Sequence, residues 1–257
     1  MARKTTGRTS ATLCLALALA AGILAAPEAA QAQASGGDGF LFGQPRAVFS
    51  IRGGLSRPFA NSDAFDESTQ YLSLEKGDFT GASYAADLGF RLSNQVDLQF
   101  GLGYSVRTVG SDSRDFIGTD DKPILQTTRF RRVPATIGLK YHLRPTGRSL
   151  GRLAWVPTKW NPYLSAGGGA VYYQYSQFGE FVDFKDNSIF SAELEAKGWT
   201  PAGYGAVGVD YSLTPRIGLV TEARYEYARG DMGNQFVGYD KLDLSGIAAT
   251  VGFNFRF

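Results

Sequence analysis

The sequence predicts an all-β protein, namely an eight-stranded antiparallel up-and-down transmembrane β-barrel. Apolar and polar residues alternate with a period of two along most of the chain beyond residue 45, which is typical of strands with one apolar and one polar face. Tight turns alternate with long polar connections, so successive strands run in opposite directions and the two ends of the barrel differ. The chain also opens with a segment that has the composition of an export signal.

The first residues have the features of a signal peptide. Arg3, Lys4 and Arg8 precede the apolar run ATLCLALALAAGILAA, and the small residues of AQAQA follow, with cleavage expected after Ala32 or Ala34. The apolar run is shorter than the ~20 residues that a membrane-spanning helix needs. Removal of the segment is therefore favoured over the alternative, a retained membrane helix.

These features divide the chain into a signal peptide at 1–34, an N-terminal periplasmic segment at 35–45 and a barrel at 46–257. The only cysteine, Cys14, lies in the signal, so the mature chain has no disulfide and no cysteine-bound metal. Removing the signal takes away three basic residues and one acidic residue, so the net charge falls from +2 to about zero. No basic tail or stripe is present, and we expect no nucleic-acid partner.

The alternation is most complete in the segment QVDLQFGLGYSVR. Every even-numbered residue from Val96 to Val106 is apolar, and every odd-numbered residue from Asp97 to Arg107 is polar or glycine. The same pattern predicts eight strands, near 46–57, 79–92, 95–109, 126–144, 161–177, 200–213, 216–229 and 241–257. All of these exceed the 9–11 residues with which a tilted strand crosses a bilayer.

The connections differ in length and composition. Residues 93–94 and 214–215 are tight turns, whereas 58–78, 110–125, 179–198 and 230–240 are long, polar and rich in acidic residues. The acidic clusters have two interpretations, divalent-cation bridges to lipopolysaccharide or solvated surface charge, and the second is favoured.

Aromatic residues at 178, 181, 184 and 190 indicate either a binding patch or strands that extend beyond the membrane. One connection, 145–161, is too long for the turn expected there, and it is basic and aromatic, which suits contact with anionic lipid headgroups.

The polar face is predicted to line the lumen and the apolar face to contact lipid. A secreted barrel with its apolar face around a ligand is the alternative, but aromatic residues at both ends of the apolar face favour a membrane barrel. An eight-stranded barrel holds little more than its own side chains, so we expect a plug of ion pairs and not an open pore. The polar face also carries Arg91 and Asp210, and the charges predicted to form the luminal network are Arg52, Asp87, Asp97, Arg107, Lys140, Glu222, Arg224 and Glu226.

The last eight residues, TVGFNFRF, resemble the carboxy-terminal assembly signal of outer-membrane barrels, with Thr250, Gly252, Phe255 and Phe257 in the places of its polar residue, glycine and hydrophobic residues. Segments such as RRVPATIGLKYHL and NPYLSAGGGAVYY also resemble the small eight-stranded outer-membrane barrels. That group includes the membrane domain of outer membrane protein A, outer membrane proteins X and W, and the opacity adhesins. The resemblance implies an outer-membrane location, recognition by the barrel-assembly machinery, and a last strand that closes the barrel against the first.

Two motifs that suggest other chemistry have simpler explanations. The glycines of GYGAVG have dinucleotide-fingerprint spacing, but strand periodicity continues through them to Tyr211, whereas the fingerprint needs a helix there. His142 is the sole histidine, and catalysis would require a nucleophile and an orienting acid beside it. We therefore predict no catalytic residue, no cofactor and no metal.

The function predicted from these observations is structural or interactive, such as envelope integrity or adhesion. A narrow channel for small or hydrophobic solutes is the first alternative, and a lipid-modifying enzyme that uses His142 is the second. The expected partners are outer-membrane lipid and lipopolysaccharide, the barrel-assembly machinery, and an extracellular ligand bound by the long loops.

Overall fold

The computed structural model describes residues 39–118, 122–151, 153–182, 188–233, 236 and 238–257. The predicted signal peptide and the first residues of the segment 35–45 lie outside this described part. The ordered elements are, in chain order, β1 (Leu41–Phe42), β2 (Ala47–Pro58), α1 (Asp63–Tyr71), a 3-10 helix (Lys76–Phe79), β3 (Gly81–Arg91), β4 (Val96–Ile117), β5 (Pro123–His142), β6 (Gly147–Leu150), β7 (Ala154–Pro157), β8 (Trp160–Val182), β9 (Ile189–Ser212), β10 (Ile217–Gly230), β11 (Leu242–Asp243) and β12 (Gly246–Arg256).

Eight of the strands form a closed antiparallel ring in the order β2, β3, β4, β5, β8, β9, β10, β12. The seam between the last strand and the first runs from Gly246 opposite Pro58 to Arg256 opposite Val48. Consecutive strands are neighbours throughout, so the predicted up-and-down topology is confirmed. Because the ring is closed, no strand in it presents an unpaired edge along the paired segments.

The outward face of the ring is apolar. Ile51 is 52% exposed, Ile137 48% and Val251 51%, although side chains of this kind are normally buried in water-soluble proteins. Every strand of the ring contributes to this belt; its members include Ile51, Leu55, Tyr84, Phe90, Phe100, Leu102, Ile137, Leu139, Leu164, Val207, Tyr225, Val251 and Phe253. A continuous apolar belt of this size requires a partner, and around a closed barrel that partner is lipid. The fold is a transmembrane β-barrel.

Two predicted loops are largely strand. The predictions of polar loops at 110–125 and 179–198 are wrong, because β4 and β5 pair from Val96 opposite Tyr141 as far as Ile117 opposite Pro123, and β8 and β9 pair as far as Val182 opposite Ile189. These extensions continue beyond the apolar belt. Both faces of a strand can be polar there, so the alternation from which the strands were predicted is lost. Residues 119–121 and 183–187 lie outside the described part of the chain.

The connection at 58–78, predicted as a loop, contains α1 and most of the 3-10 helix. Phe65 and Phe79 are fully buried and pack edge to face, and Phe65 also contacts Phe130 and Tyr175 on the inner face of the extended strands. Leu242 and Leu244 from the last long connection complete this outer core. The end of the barrel that bears the long connections is thus filled by a hydrophobic core. No helix among the described residues is long and apolar enough to cross a membrane.

The opposite end carries a small second sheet. Within 145–161 the chain forms the hairpin β6–β7, and β1 pairs with β7 to give a three-stranded sheet in the order β1, β7, β6. Trp155 of β7 is buried, and a Cβ on Gly147 would lie 2.3 Å from the Trp155 ring. The long turn is therefore a folded hairpin, and the segment 35–45 supplies one of its strands.

Candidate functional site

The middle of the lumen is occupied by an arginine between two carboxylates. Arg52 on β2 forms ion pairs with Asp87 on β3 and with Glu222 on β10, and all three are buried. The Tyr163 hydroxyl donates a hydrogen bond of 2.9 Å to Glu222 Oε2. The positions follow from strand register, because alternate residues of each strand face inward.

A second cluster lies at the end with the short turns. Lys140 Nζ is 2.8 Å from Asp210 Oδ2, which sits two strands away in the ring. Asp97 accepts hydrogen bonds from Arg91 Nε at 2.9 Å, and its Oδ2 is 3.1 Å from His142 Nε2. Asn254 donates a hydrogen bond of 2.7 Å to Asp210. Buried charges are tolerated when they are paired in this way.

His142 belongs to this second cluster. Its Nδ1 lies 3.7 Å from Asp210 Oδ2, so the ring is held between two carboxylates. The cavity that His142 borders measures about 30 Å³, a volume that holds about one or two water molecules. The geometry is that of a packed polar cluster at the short-turn end and provides no room for a lipid substrate.

Arg107 does not join the luminal ion pairs, and its prediction as part of that network is corrected. Its side chain is exposed and its Nε donates a hydrogen bond of 2.8 Å to the carbonyl of Asp78. The residue faces inward, but β4 rises beyond the lumen at this level. The Arg224 guanidinium lies over the Tyr204 ring, with its Cζ 3.7 Å from the ring centroid. Its Nη2 is 3.7 Å from Glu226 Oε2, which makes a longer ion pair than those of Arg52.

Two luminal residues were missed as site candidates. Arg132 is buried and donates hydrogen bonds of 2.6 Å to the Leu244 carbonyl and 2.5 Å to Ser56 Oγ, which ties the lumen to the outer core. Asn254 is the other, whereas Arg91 and Asp210 lie on the predicted polar face of their strands. Their inward register was available from the alternation, but their partners lie on other strands. The largest cavity in the middle of the lumen measures about 60 Å³.

A larger cavity, of about 180 Å³, lies at the outer end beside α1. Five aromatic residues from four parts of the chain line it, namely Tyr71 of α1, Phe116 of β4, Phe181 of β8, and Phe236 and Tyr239 of the last long connection. The predicted aromatic patch is assembled in part. Phe181 lines this cavity and stacks with the half-exposed Phe190 directly opposite on β9, with ring centroids 6.0 Å apart, whereas Phe178 is exposed. Phe184 lies outside the described residues.

The polar groups of this outer cavity are acidic or neutral. The Tyr239 hydroxyl donates a hydrogen bond to Glu67 Oε2, and burial, together with this bond and the charge of Glu67, raises the pKa of Tyr239. Gln177 Nε2 donates to Ser68 Oγ at 2.7 Å and to the Tyr175 hydroxyl at 2.9 Å. Asp115 supplies a second carboxylate, and none of the described lining residues is basic.

Metal-binding and dinucleotide-binding arrangements are not found in the described part of the chain. No group of three or more His, Cys, Asp or Glu side chains there is placed to hold a metal ion. The glycines of GYGAVG lie within β9, which runs unbroken from Ile189 to Ser212. The strand interpretation of that motif is confirmed.

No protein-family model matches the chain, and no curated protein matches it. Among solved structures, the outer membrane protein OprG from Pseudomonas aeruginosa is similar at 16% identity and a TM-score of 0.44, covering 84% of this chain and 98% of that one. Ail, the attachment invasion locus protein of Yersinia pestis, is similar at 14% identity and a TM-score of 0.41, covering 82% and 99%. The outer membrane protease OmpT from Escherichia coli is similar at 11% identity and a TM-score of 0.37, covering 86% and 99%. The eight-stranded ring, established by the strand pairings of this chain, confirms the fold that the carboxy-terminal resemblance implies.

Proposed function

We propose that this chain is an integral outer-membrane barrel that serves a structural or surface-interaction role and is not an enzyme. The observation that carries the proposal is the exposed apolar belt around a ring whose charged side chains are paired inside. Lipid and lipopolysaccharide contact the belt, and the end with the long connections projects outside the cell as a folded platform. The signal at 1–34 and the carboxy-terminal motif support export and delivery to the barrel-assembly machinery.

The membrane location is tested by placing a charge in the belt. Ile137→Arg should lower the free energy of unfolding by about 2–4 kcal/mol, because a basic side chain at mid-bilayer loses its hydration. The measurements are cell fractionation, heat-modifiable gel mobility, and urea unfolding of the protein refolded in lipid vesicles. The unaltered protein should fractionate with the outer membrane and migrate faster before heating than after.

The matched control is Thr127→Arg, on the same face of β5 but in the extension beyond the belt. It should leave both the mobility and the unfolding free energy nearly unchanged. If Ile137→Arg were as stable as Thr127→Arg, or if the unaltered protein remained monodisperse in buffer without detergent, the outward face would not contact lipid.

The packed lumen favours a closed barrel over the narrow channel that is the alternative function. The Arg52 pairs and the Lys140–Asp210 pair occupy successive levels of the lumen, and the outer core covers its far end. Planar-bilayer recordings of the refolded protein should therefore show no sustained conductance. Steady unitary currents that disappear on Glu222→Gln substitution would instead establish the channel.

A further inference from the structure

The outer cavity is large enough to hold a small organic molecule. Its volume of about 180 Å³ far exceeds the ~10–15 Å³, on the same measure, that a single water molecule requires. It lies between α1, the extended strands and the last long connection, all of which also contribute to the outer core. The cavity is therefore held by packed elements and not by a loop alone.

The lining combines aromatic faces with negative charge. Tyr71, Phe116, Phe181, Phe236 and Tyr239 supply rings, and the face of an aromatic ring attracts a cation, most strongly when the cation is desolvated. The carboxylates of Glu67 and Asp115 add to this attraction. Both carboxylates lie at the exposed rim of the cavity, where Glu67 also accepts the hydrogen bond from Tyr239.

A metal ion suits this lining less well than an organic cation. The described residues offer two carboxylates at the cavity and no third acidic or histidine ligand grouped with them, whereas Ca²⁺ takes 6–8 oxygen ligands. Five rings would contribute nothing to metal coordination, but they would enclose the alkyl groups of an ammonium ion. The lining also contains the uncharged polar residues Ser68, Gln126 and Gln177. The amide nitrogens of Gln126 and Gln177 already donate to the Glu180 carbonyl and to Ser68 Oγ, so a hydroxyl or amide on the ligand would have to use their amide oxygens.

We propose that the outer cavity binds an organic ammonium ion that carries a small apolar body. The inference rests on the surface-interaction role proposed above and names the ligand class for it. The ammonium group lies against the rings near Glu67 and Asp115, and the remainder of the ligand extends toward the Gln177 side.

The test compares a cation with its neutral isostere. Choline and 3,3-dimethylbutan-1-ol have the same shape and differ by the charge on one central atom. Calorimetric titration of the protein refolded in a maltoside detergent, which carries no ammonium group of its own, should show choline binding at least about tenfold more tightly than the alcohol. Equal binding of both compounds, or binding of neither, would overturn the assignment.

Two substitutions test whether the carboxylates of Glu67 and Asp115 attract the ammonium group, and a third substitution is the control. Glu67→Gln and Asp115→Asn should each weaken choline binding about three- to tenfold and leave binding of the alcohol unchanged. Asp66→Asn, on the same helix but outside the cavity, should leave choline binding unchanged. Heat-modifiable mobility confirms that each variant is folded. If Asp66→Asn weakened choline as much as the two cavity variants do, general surface charge would explain the binding.

Failure of the ligand assignment can be told apart from failure of the proposed function. The outer-membrane location depends on fractionation and on Ile137→Arg, neither of which involves the cavity. A barrel that passes those tests but does not discriminate choline from the alcohol is still a surface barrel, and only the ammonium site is then refuted.

Discussion

Arg52→Leu should lower the free energy of unfolding by about 3–5 kcal/mol, because it leaves two buried carboxylates without their shared cation. Asp87 and Glu222 both form ion pairs with this guanidinium, and all three residues are at most 5% exposed. The lumen is too narrow to hydrate the carboxylates that remain. Urea titration followed by tryptophan fluorescence measures the change.

Two further variants show whether the loss arises from an unpaired charge. Arg107→Leu removes the same kind of side chain from an exposed position, and it should cost less than about 1 kcal/mol. The triple variant Arg52→Leu, Asp87→Asn, Glu222→Gln removes all three charges together and should recover much of the loss, since replacing a whole buried ion cluster is often nearly neutral. An Arg52→Leu variant as stable as Arg107→Leu would mean that water reaches the middle of the lumen.

The sequence was sufficient to predict the strands within the membrane because lipid imposes a strict pattern there. A strand such as β4 must present apolar residues to lipid at every second position, and the segment from Val96 to Val106 does so without exception. Beyond the belt this constraint ends. The extension of β4 to Ile117 and of β8 to Val182 follows from cross-strand pairing, which a single strand's pattern does not reveal.

The luminal site could be predicted in part for the same reason. Register alone places Arg52, Lys140 and Glu222 inside, but it does not say which charge meets which. Lys140 pairs with Asp210, 70 residues further along the chain and across β8. Arg107 was misplaced because register gives the face of a residue and not its height in the barrel.

The outer cavity was not predictable from any local pattern. Its lining comes from α1, four strands and the last connection, and its acidic residues are ordinary surface charges when considered one at a time. The sequence did contain one partial signal, namely the aromatic residues between 178 and 190. Their spacing could not show that Phe181 faces the cavity and stacks with Phe190 across the β8–β9 pair while Phe178 is exposed.

Gly252→Val should prevent closure of the barrel at the seam between β12 and β2. A Cβ at this position would lie 1.9 Å from the carbonyl oxygen of Ile51 and 2.6 Å from the Cα of Arg52. These are backbone atoms, so no rotamer change relieves the overlap, and the expected loss exceeds the ~1–3 kcal/mol of ordinary overpacking. The variant should migrate as the unfolded form on unheated gels after refolding in detergent.

The control for this substitution lies on the same seam. Gly53→Val places the new side chain on the lipid face, where its Cβ would meet only the Tyr84 ring at 3.7 Å, and this variant should refold. Refolding in detergent also separates closure from recognition, because no assembly machinery is present. Substitution of Phe255 and Phe257 by alanine should permit refolding in detergent but reduce the amount of protein in the outer membrane, if those residues are read by the machinery. If Gly252→Val refolded as well as Gly53→Val, the steric account of the seam would be wrong.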